Sequence, residues 1–302
     1  MSWSLVTVAH EGRPTGCLER DGALVPLVAL GAPDSVAGLF ADWPRWHAHL
    51  QAAAGGALPP ALPPSLPQLG LPAGLPVLAP LLYPGKVLCA GANYYDHCAE
   101  MGVQDLRKEA QRLFFFFKPP RNAVVGPGPT VRKPIGTSAM DWEIELAAVI
   151  GTTARNVAVA DALAHVAAYT VAIDISARDF NRAPETFYKL DWVAGKAHDT
   201  CCPMGPRLVP AGGLADPQDL GLRLSVNGVV KQDARSSGMI FSIAEQIATL
   251  SRIMTLDPGD VVLTGTPAGV GAPKGTFLSV GDRLDAAIEG IGTLSVTIQP
   301  EG

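Results

Sequence analysis

Glu143 and Glu145 lie two positions apart in the segment 141–146, which reads Asp-Trp-Glu-Ile-Glu-Leu. In a β-strand, side chains two positions apart project from the same face, so both carboxylates point to one side while Trp142 and Ile144 face away. At about 4 Å and an effective dielectric constant near 20, two such charges repel by roughly 4 kcal/mol. A divalent cation removes this repulsion, and oxygen ligands favour Mg²⁺, Mn²⁺ or Ca²⁺ over zinc. The alternative is an exposed strand face with two solvated carboxylates.

Asp174 is the third candidate ligand. It ends the segment 169–174, Tyr-Thr-Val-Ala-Ile-Asp, a strand so apolar that a charged side chain in it requires a partner. The other interpretation is a cap for a turn at Ser176, which is compatible with metal binding.

His97 and Glu100 are three residues apart, and a helix places such residues on one face. A carboxylate beside an imidazole orients the ring, which suits a general base that acts on water. The same spacing fits a pair of metal ligands or a surface ion pair, so all three interpretations stay open.

Three further residues could contact an anionic substrate. Arg178 could clamp a carboxylate with its guanidinium fork, or form a salt bridge to Asp179 or to another neighbour. Lys196 follows Trp-Val-Ala-Gly and points either into a cleft or towards solvent. Thr266 belongs to the glycine-rich turn 264–271, whose N–H groups and hydroxyl could hold a carboxylate. The turn lacks the spacing of a P-loop or a dinucleotide-binding fingerprint.

Composition and missing motifs exclude several classes of protein. A hydrophobic fraction of 48% with 17% charged residues predicts a compact globular protein. The net charge of −5 without a basic run argues against nucleic-acid and membrane partners. The five cysteines form no CxxC pair, and we find neither a signal peptide nor a membrane span, which predicts a cytoplasmic protein. Neither the G-x-S-x-G motif nor the H-E-x-x-H motif occurs, which argues against a serine hydrolase and against a zinc protease.

The chain divides into three predicted parts: a small N-terminal β/α domain (1–54), a Pro/Ala/Gly/Leu-rich extended connector on the surface (55–80), and a catalytic domain (81–302). We predict strands at 5–9, 16–18, 23–28, 86–91, 142–150, 166–175, 222–226 and 261–264, with a hairpin turn at Asp21-Gly22. We predict helices at 35–53, with an interruption at Pro44 as the alternative, at 93–101 with Asn93 as N-cap, and at 240–254. The predicted fold class is therefore α+β and β-rich.

Nine motifs occur in the order typical of the fumarylacetoacetate hydrolase family, which the chain resembles from about residue 81 to 298. They are Asn93-Tyr-Tyr-Asp-His-Cys-Ala-Glu100, Phe117-Lys-Pro119, Asp141-Trp-Glu-Ile-Glu-Leu146, Asp174-Ile-Ser-Ala-Arg-Asp179, Gly195-Lys196, Asp199-Thr200, Pro203-Met-Gly-Pro206, Val226-Asn-Gly228 and Thr264-Gly-Thr-Pro267.

The resemblance implies a mixed β-sandwich roll, usually a homodimer, with Mg²⁺ or Mn²⁺ held by two glutamates and an aspartate; Ca²⁺ is possible in vitro. The residues that match these ligands are Glu143, Glu145 and Asp174. His97 and Glu100 match the acid–base dyad, and Lys196 matches the lysine near the substrate oxygens.

The expected substrate-binding residues are Arg178, Asn181, Thr266, Lys118 and Tyr95. Three departures from the family pattern should alter the substrate pocket more than the metal chemistry. Asn181 stands where many members have glutamine, Trp142 stands where tyrosine is common, and 103–113 is longer and more charged than in the smallest members.

These features predict hydrolysis of a C–C bond in a small 1,3-diketo acid, such as an acylpyruvate or a fumarylpyruvate-like compound from aromatic catabolism. The main alternatives are decarboxylation of an oxaloacetate-like acid and enol–keto isomerisation, for example of a hydroxylated dienoate. A non-catalytic binding protein is a remote alternative, because such a protein would be expected to have lost part of the dyad or of the carboxylate trio.

Overall fold

The computed structural model describes residues 3–56 and 75–301. Its strands are β1 (Ser4–His10), β2 (Arg13–Arg20), β3 (Ala23–Pro26), β4 (Val77–Leu78), β5 (Val87–Gly91), β6 (Phe114–Lys118), β7 (Val124–Val125), β8 (Gly128–Arg132), β9 (Met140–Asp141), β10 (Ile144–Ile150), β11 (Val166–Ile173), β12 (Ser176–Ala177), β13 (Cys202–Pro210), β14 (Gly221–Val226), β15 (Val229–Arg235), β16 (Val261–Leu263), β17 (Arg283–Ile288) and β18 (Gly292–Gln299). Its α-helices are α1 (Val36–Leu39), α2 (Trp43–Gly55), α3 (Tyr95–Glu100), α4 (Pro120–Ala123), α5 (Arg178–Asn181), α6 (Trp192–Lys196) and α7 (Ile243–Ile253). The β-rich α+β prediction is confirmed.

Two sheets carry most of the structure in the described residues. The larger has the strand order β3-β2-β1-β13-β11-β10-β16-β5-β6, with β4 beside β1 and β7 beside β13. The smaller has the order β15-β14-β17-β18-β8, and β9 and β12 form a separate two-stranded ladder. Within the larger sheet, β10 lies between β11 and β16 and is antiparallel to both. This central position buries β10 along its whole length.

The N-terminal elements follow the sequence closely, with two differences. Asp21 and Gly22 both have positive φ and make the predicted hairpin turn between β2 and β3. The strand predicted to reach Val28 ends at Pro26, and a 3₁₀ helix follows. The helix predicted over 35–53 is two helices. The second begins at Trp43, so Pro44 lies in its first turn, where its missing N–H has no partner to lose.

The connector prediction is wrong at its C-terminal end. Residues 57–74 lie outside the described residues, but β4 pairs with β1, and Ala79, which follows β4, is fully buried. This part of the connector is therefore sheet, not a surface coil, because pairing satisfies its backbone groups. The strand β1 also pairs with β13 at Leu5 and Leu208, so the N-terminal strands extend the sheet of the larger part.

The core explains which face of β10 carries each side chain. Ile144 and Leu146 pack into a cluster with residues of the smaller sheet and of α7, whereas Ala147 and Val149 pack into a second cluster with the N-terminal elements. Glu145 alternates with the first set and so shares the face of Ala147. As the sequence predicts, the glutamate face and the Ile144 face are opposite, and both are buried.

None of the helices in residues 3–56 and 75–301 is long and apolar enough to cross a membrane. The side chains of all five cysteines are buried and free.

Candidate metal centre and active site

Strand register brings the three candidate carboxylates together. Glu145 lies opposite Ala172 in the β10–β11 ladder. Asp174 follows β11 two residues after Ala172, and its N–H donates to the carbonyl of Glu143 over 2.8 Å. One oxygen from each carboxylate lies within 4.8 Å of the others, and all three residues are buried. These three side chains, which we call the carboxylate trio, could hold a metal ion, and the exposed-face alternative for the two glutamates is wrong.

The trio is short of compensating charge at Glu145. Burial and the neighbouring charges of Asp174 and Glu143 raise the pKa of Glu145 well above its ordinary value. Burial also acts to raise the pKa of Glu143, but the cations of Arg178 and Lys196 outweigh it and lower that pKa below its ordinary value. The repulsion between the carboxylates is thus left uncompensated at Glu145, and a bound cation would relieve it.

Two buried lysines approach the trio from different sides. The ammonium of Lys196 donates to Glu143 Oε2 and Asp174 Oδ2, both over 2.6 Å. Lys118 Nζ lies 2.8 Å from Asp174 Oδ1, but its three hydrogens go to the carbonyls of Ile175, Lys196 and Cys201. Asp174 Oδ1 therefore receives no hydrogen bond, although it is buried. An orphaned carboxylate oxygen facing two more carboxylates is what a cation ligand requires.

The balance of charges agrees with a divalent cation. The acids that surround the site are Asp141, Glu143, Glu145 and Asp174, and the cations paired with them are Lys118, Lys196 and Arg178. The cluster thus has one excess negative charge when every group is ionised. A divalent ion would turn that excess into one positive charge and favour an anionic substrate.

Arg178 is held by two carboxylates, and one of them was missed as a site residue in the sequence. Its Nε donates to Asp141 Oδ2 over 2.9 Å, and its Nη2 donates to Glu143 Oε1. The alternative of a salt bridge is confirmed, but its partners are the neighbours Asp141 and Glu143, because Asp179 instead accepts from Thr137 and Ser138. Asp141 precedes Glu143 by two residues, so the D-x-E-x-E spacing could have identified it.

Asp141 also anchors the glycine-rich turn. Its carboxylate accepts from the N–H groups of Gly271 and Ala272 over 2.7 and 3.0 Å. At the other end of the turn, the N–H of Gly265 donates to Glu145 Oε2 over 2.6 Å. The turn therefore lies against both ends of the Asp141–Glu145 segment. The N–H groups of Gly265 and Gly271 donate hydrogen bonds to carboxylates of the protein itself.

Thr266 is fixed by a residue that sequence reasoning missed. Its hydroxyl donates to the carbonyl of Ile144 over 2.8 Å and accepts from the side chain of Gln232, which is fully buried. The Gln232 carboxamide also accepts from the N–H of Ile144 and donates to Pro267. No local signal marks Gln232, because its partners lie about 35 and 90 positions away in the chain.

His97 and Glu100 form the predicted pair on α3. His97 Nδ1 lies 2.8 Å from Glu100 Oε1, and Glu100 Oε2 accepts from the N–H of Gly269 over 2.9 Å. Burial acts to raise the pKa of Glu100, but these hydrogen bonds lower it below its ordinary value. Gly269 has φ +109°, and a Cβ there would lie 2.0 Å from the carbonyl of Lys231, so only glycine fits. His97 is buried, so the surface-pair alternative is wrong.

Asn93 does not cap α3, contrary to the prediction. The N-cap is Tyr94, whose side chain makes no capping hydrogen bond. The Asn93 side chain instead accepts from the N–H of Phe241 and donates to the carbonyls of Phe241 and Thr264. It thereby joins the start of α3 to the glycine-rich turn, a tertiary contact with no local sequence signal.

Most of the predicted site residues line one cavity of about 220 Å³. They are His97, Glu143, Glu145, Asp174, Arg178, Asn181, Lys196 and Thr266. Lys196 is buried there, so the alternative in which its charge reaches solvent is wrong. Lys118 and Tyr95 do not line it. Lys118 is fully buried behind Asp174 with every hydrogen donated, and Tyr95 is exposed, so the structure does not support their expected contact with substrate.

The chain matches one protein family over most of its length. A family model described as the C-terminal part of fumarylacetoacetate (FAA) hydrolase matches residues 86–299. A mitochondrial oxaloacetate tautomerase of Xenopus laevis is 41% identical over 214 residues, which are 70% of this chain and 65% of that relative. The match thus spans less than two thirds of the relative.

Three solved structures share the fold. A fumarylacetoacetate hydrolase from Exiguobacterium antarcticum is 30% identical with a TM-score of 0.80, covering 99% of this chain and all of the other. A 2-hydroxyhepta-2,4-diene-1,7-dioate isomerase from Mycobacterium marinum is 33% identical with a TM-score of 0.72, and both chains are covered fully. A fumarylpyruvate hydrolase from Pseudomonas aeruginosa, in complex with Mn²⁺ and pyruvate, is 34% identical with a TM-score of 0.65. The match covers 76% of this chain and 93% of the other. The predicted family fold is confirmed.

Replacing Asp174 with asparagine should weaken the binding of Mg²⁺ and Mn²⁺ by roughly 100-fold or more, because a charged ligand is lost. Isothermal titration calorimetry on the metal-stripped protein measures this directly. Asp161→Asn, which changes an exposed aspartate outside the trio, should bind as tightly as the wild type. Equal affinity of the wild type and Asp174→Asn would contradict the assignment of Asp174 as a ligand.

Replacing Asp141 with asparagine should lower the free energy of unfolding by about 3 kcal/mol, because a buried ion pair with Arg178 is broken. Denaturant unfolding monitored by circular dichroism gives the value. Asp233→Asn, which breaks an exposed ion pair with Arg223, should change stability by less than about 0.5 kcal/mol. Similar losses in the free energy of unfolding for the two variants would contradict the anchoring role of Asp141.

Proposed function

The chain belongs to the fumarylacetoacetate hydrolase family, and on that premise we propose that it is a divalent-cation-dependent hydrolase of small 1,3-diketo acids. The observation that carries the proposal is the shared cavity, which is lined by His97 and the carboxylate trio, with Glu100 hydrogen-bonded to His97 Nδ1. The family includes hydrolases, isomerases and tautomerases. Family membership therefore leaves the reaction class open, and hydrolysis is what we propose.

We propose Mg²⁺ or Mn²⁺ as the ion, with Glu143, Glu145 and Asp174 as its ligands. Buried oxygen ligands suit these ions, and the Pseudomonas aeruginosa neighbour was solved with Mn²⁺. When bound, the cation supplies Lewis acidity that polarises a coordinated carbonyl. It would also offset the excess negative charge of the carboxylate trio, so that an anionic 2-keto acid can bind beside it.

The chain's own residues provide acid–base chemistry and positioning. His97 Nδ1 is engaged by Glu100, so Nε2 is the ring nitrogen that can take a proton from water. The oxygen of this water adds to the distal carbonyl, and collapse of the adduct breaks the C–C bond to the methylene carbon, which releases a carboxylic acid. The electron pair of that bond leaves as the enolate of the keto acid, and the imidazolium of His97 returns the proton to its carbon. The ammonium of Lys196 stabilises the negative charge that develops on the adduct and on the enolate.

Arg178 Nη1 lies outside both of its ion pairs and, with Asn181, is placed to position the substrate carboxylate. Thr266 lines the same cavity, but its hydroxyl hydrogen is donated to the carbonyl of Ile144.

Tautomerisation is the second candidate function. It is favoured by the 41% identity to an oxaloacetate tautomerase and by the full-length likeness to a dienoate isomerase. The same His97–Glu100 pair would then move a proton between carbon and oxygen of a keto acid, and no C–C bond would break. The two functions share the site and differ in whether water enters the product.

We also propose a homodimer in the cytoplasm that serves aromatic catabolism. These assignments are extensions of the family membership and of the substrate class. Gel filtration with light scattering tests the first of them directly.

The reaction class is tested by following the loss of enol absorbance across a panel of 1,3-diketo acids and oxaloacetate. Reactions are run with Mg²⁺, with Mn²⁺ and with excess chelator, in ¹⁸O-labelled water. Hydrolysis predicts two acid products with ¹⁸O in the newly formed carboxylate, and chelator should abolish it. Enol loss at unchanged substrate mass would identify a tautomerase, and release of CO₂ without a second acid would identify a decarboxylase.

Replacing His97 with alanine should lower kcat on the best substrate by about 10² to 10⁴-fold, since the general base is lost. His10→Ala is the matched control, because His10 lies on the N-terminal strand β1 outside the cavity. Mg²⁺ affinity of His97→Ala should stay near the wild-type value, which separates loss of the base from loss of the metal. A decrease of less than tenfold would exclude His97 as the base.

A further inference from the structure

The cavity is lined by two chemically different sets of side chains. The first set is the carboxylate trio with Arg178 and Lys196, and the second is the apolar set of Met101, Val103, Phe116 and Trp192. We call the latter the apolar wall. A substrate that places its keto acid at the carboxylate trio has this wall beside it in the same cavity. The chemistry of the apolar wall therefore helps to determine which keto acid the site accepts.

Aromatic rings form the fixed part of the wall. The rings of Phe116 and Trp192 are stacked, with centroids 5.2 Å apart and planes 22° apart. Phe114 packs against Trp192 from further out, with centroids 4.8 Å apart. Lys196 Nζ lies 5.1 Å above the Phe116 ring, so the wall begins directly beside the charged set. Trp192 is half-buried, which leaves part of its surface available for a ligand.

The apolar wall has no cation for a second carboxylate. Among the described residues that line the cavity, the only lysine and arginine are Lys196 and Arg178. Lys196 is shared by Glu143 and Asp174, and Arg178 is shared by Asp141 and Glu143. Residues 57–74 contain no lysine or arginine. A distal carboxylate would therefore lose its hydration against aromatic carbon without gaining a partner.

We propose that this site selects 2-keto acids whose distal group is uncharged and apolar, aryl or branched alkyl, and that Trp192 with Phe116 recognises that group. The inference rests on the proposed function, since it assumes that the keto acid end lies at the carboxylate trio. Within that function, it favours acylpyruvates with an apolar acyl group over substrates with a second carboxylate, such as fumarylpyruvate or oxaloacetate.

Binding is tested with three 2-keto acids that lack a scissile 1,3-diketo bond. Phenylpyruvate has an aryl distal group, 2-oxoglutarate has a distal carboxylate, and pyruvate has no comparable distal group. Calorimetry of the Mg²⁺-loaded protein should show phenylpyruvate binding about tenfold or more tightly than 2-oxoglutarate. Similar affinities, or tighter binding of 2-oxoglutarate, would overturn the proposal.

Variants of Trp192 identify the recognising residue. Trp192→Ala should weaken phenylpyruvate binding by roughly tenfold while pyruvate and Mg²⁺ bind as in the wild type. Trp192→Arg should bring a cation to the wall and shift preference towards 2-oxoglutarate. Phe117→Ala is the matched control, because Phe117 is an exposed aromatic on β6 that does not line the cavity. An equal loss for pyruvate and phenylpyruvate in Trp192→Ala would show a structural effect and contradict the assignment.

Turnover separates this inference from the proposed function. In the kcat/KM of the wild type, benzoylpyruvate should exceed fumarylpyruvate, and Trp192→Ala should reduce that ratio by roughly tenfold. If fumarylpyruvate is cleaved better, the inference fails and the hydrolase stands. If neither compound is cleaved but phenylpyruvate binding shows the expected preference and Trp192 dependence, the hydrolase fails and the inference stands.

Discussion

The negative charge buried at Glu143, Glu145 and Asp174 is the constraint on which the rest of the site depends. Three carboxylates within 4.8 Å of one another repel strongly when all three residues are buried. Lys196 bridges Glu143 and Asp174. Lys118 lies close to the other carboxylate oxygen of Asp174 without donating a hydrogen bond to it. The remaining imbalance falls on Glu145, whose pKa is raised. The protein thus keeps a buried site that is incomplete without a cation.

The surrounding structure holds this arrangement through backbone groups more than through side chains. Gly265 donates to Glu145, Gly269 donates to Glu100, and Gly271 donates to Asp141, so one glycine-rich turn contacts three carboxylates. A turn with side chains at Gly269 could not approach as closely, because a Cβ there meets the carbonyl of Lys231. The turn therefore links the acid–base pair on α3 to the strand that carries the glutamates. Movement of the turn would disturb both at once.

Sequence reasoning succeeded where a single element carries the information. The spacing of Glu143 and Glu145 brought both carboxylates together, although Glu143 lies just before β10 and only Glu145 is in the strand, and the spacing of His97 and Glu100 placed them in contact on one helix. It failed at residues whose role depends on distant partners. Lys118 and Tyr95 were assigned from their place in motifs, yet one lies behind the site and the other at the surface. Asn93 was assigned as a cap but bonds to Phe241 and Thr264.

The sequence by itself determined the types of groups, their local spacing and the family, because alternation along a strand and periodicity along a helix are properties of neighbouring residues. Only the tertiary structure decided that Asp174 joins the two glutamates, since this depends on the register between β10 and β11. It also decided that Gln232 fixes Thr266, and that Phe116 and Trp192 line the same cavity as the carboxylate trio. Such contacts join segments far apart in the chain, and their geometry exists only once the sheets have packed.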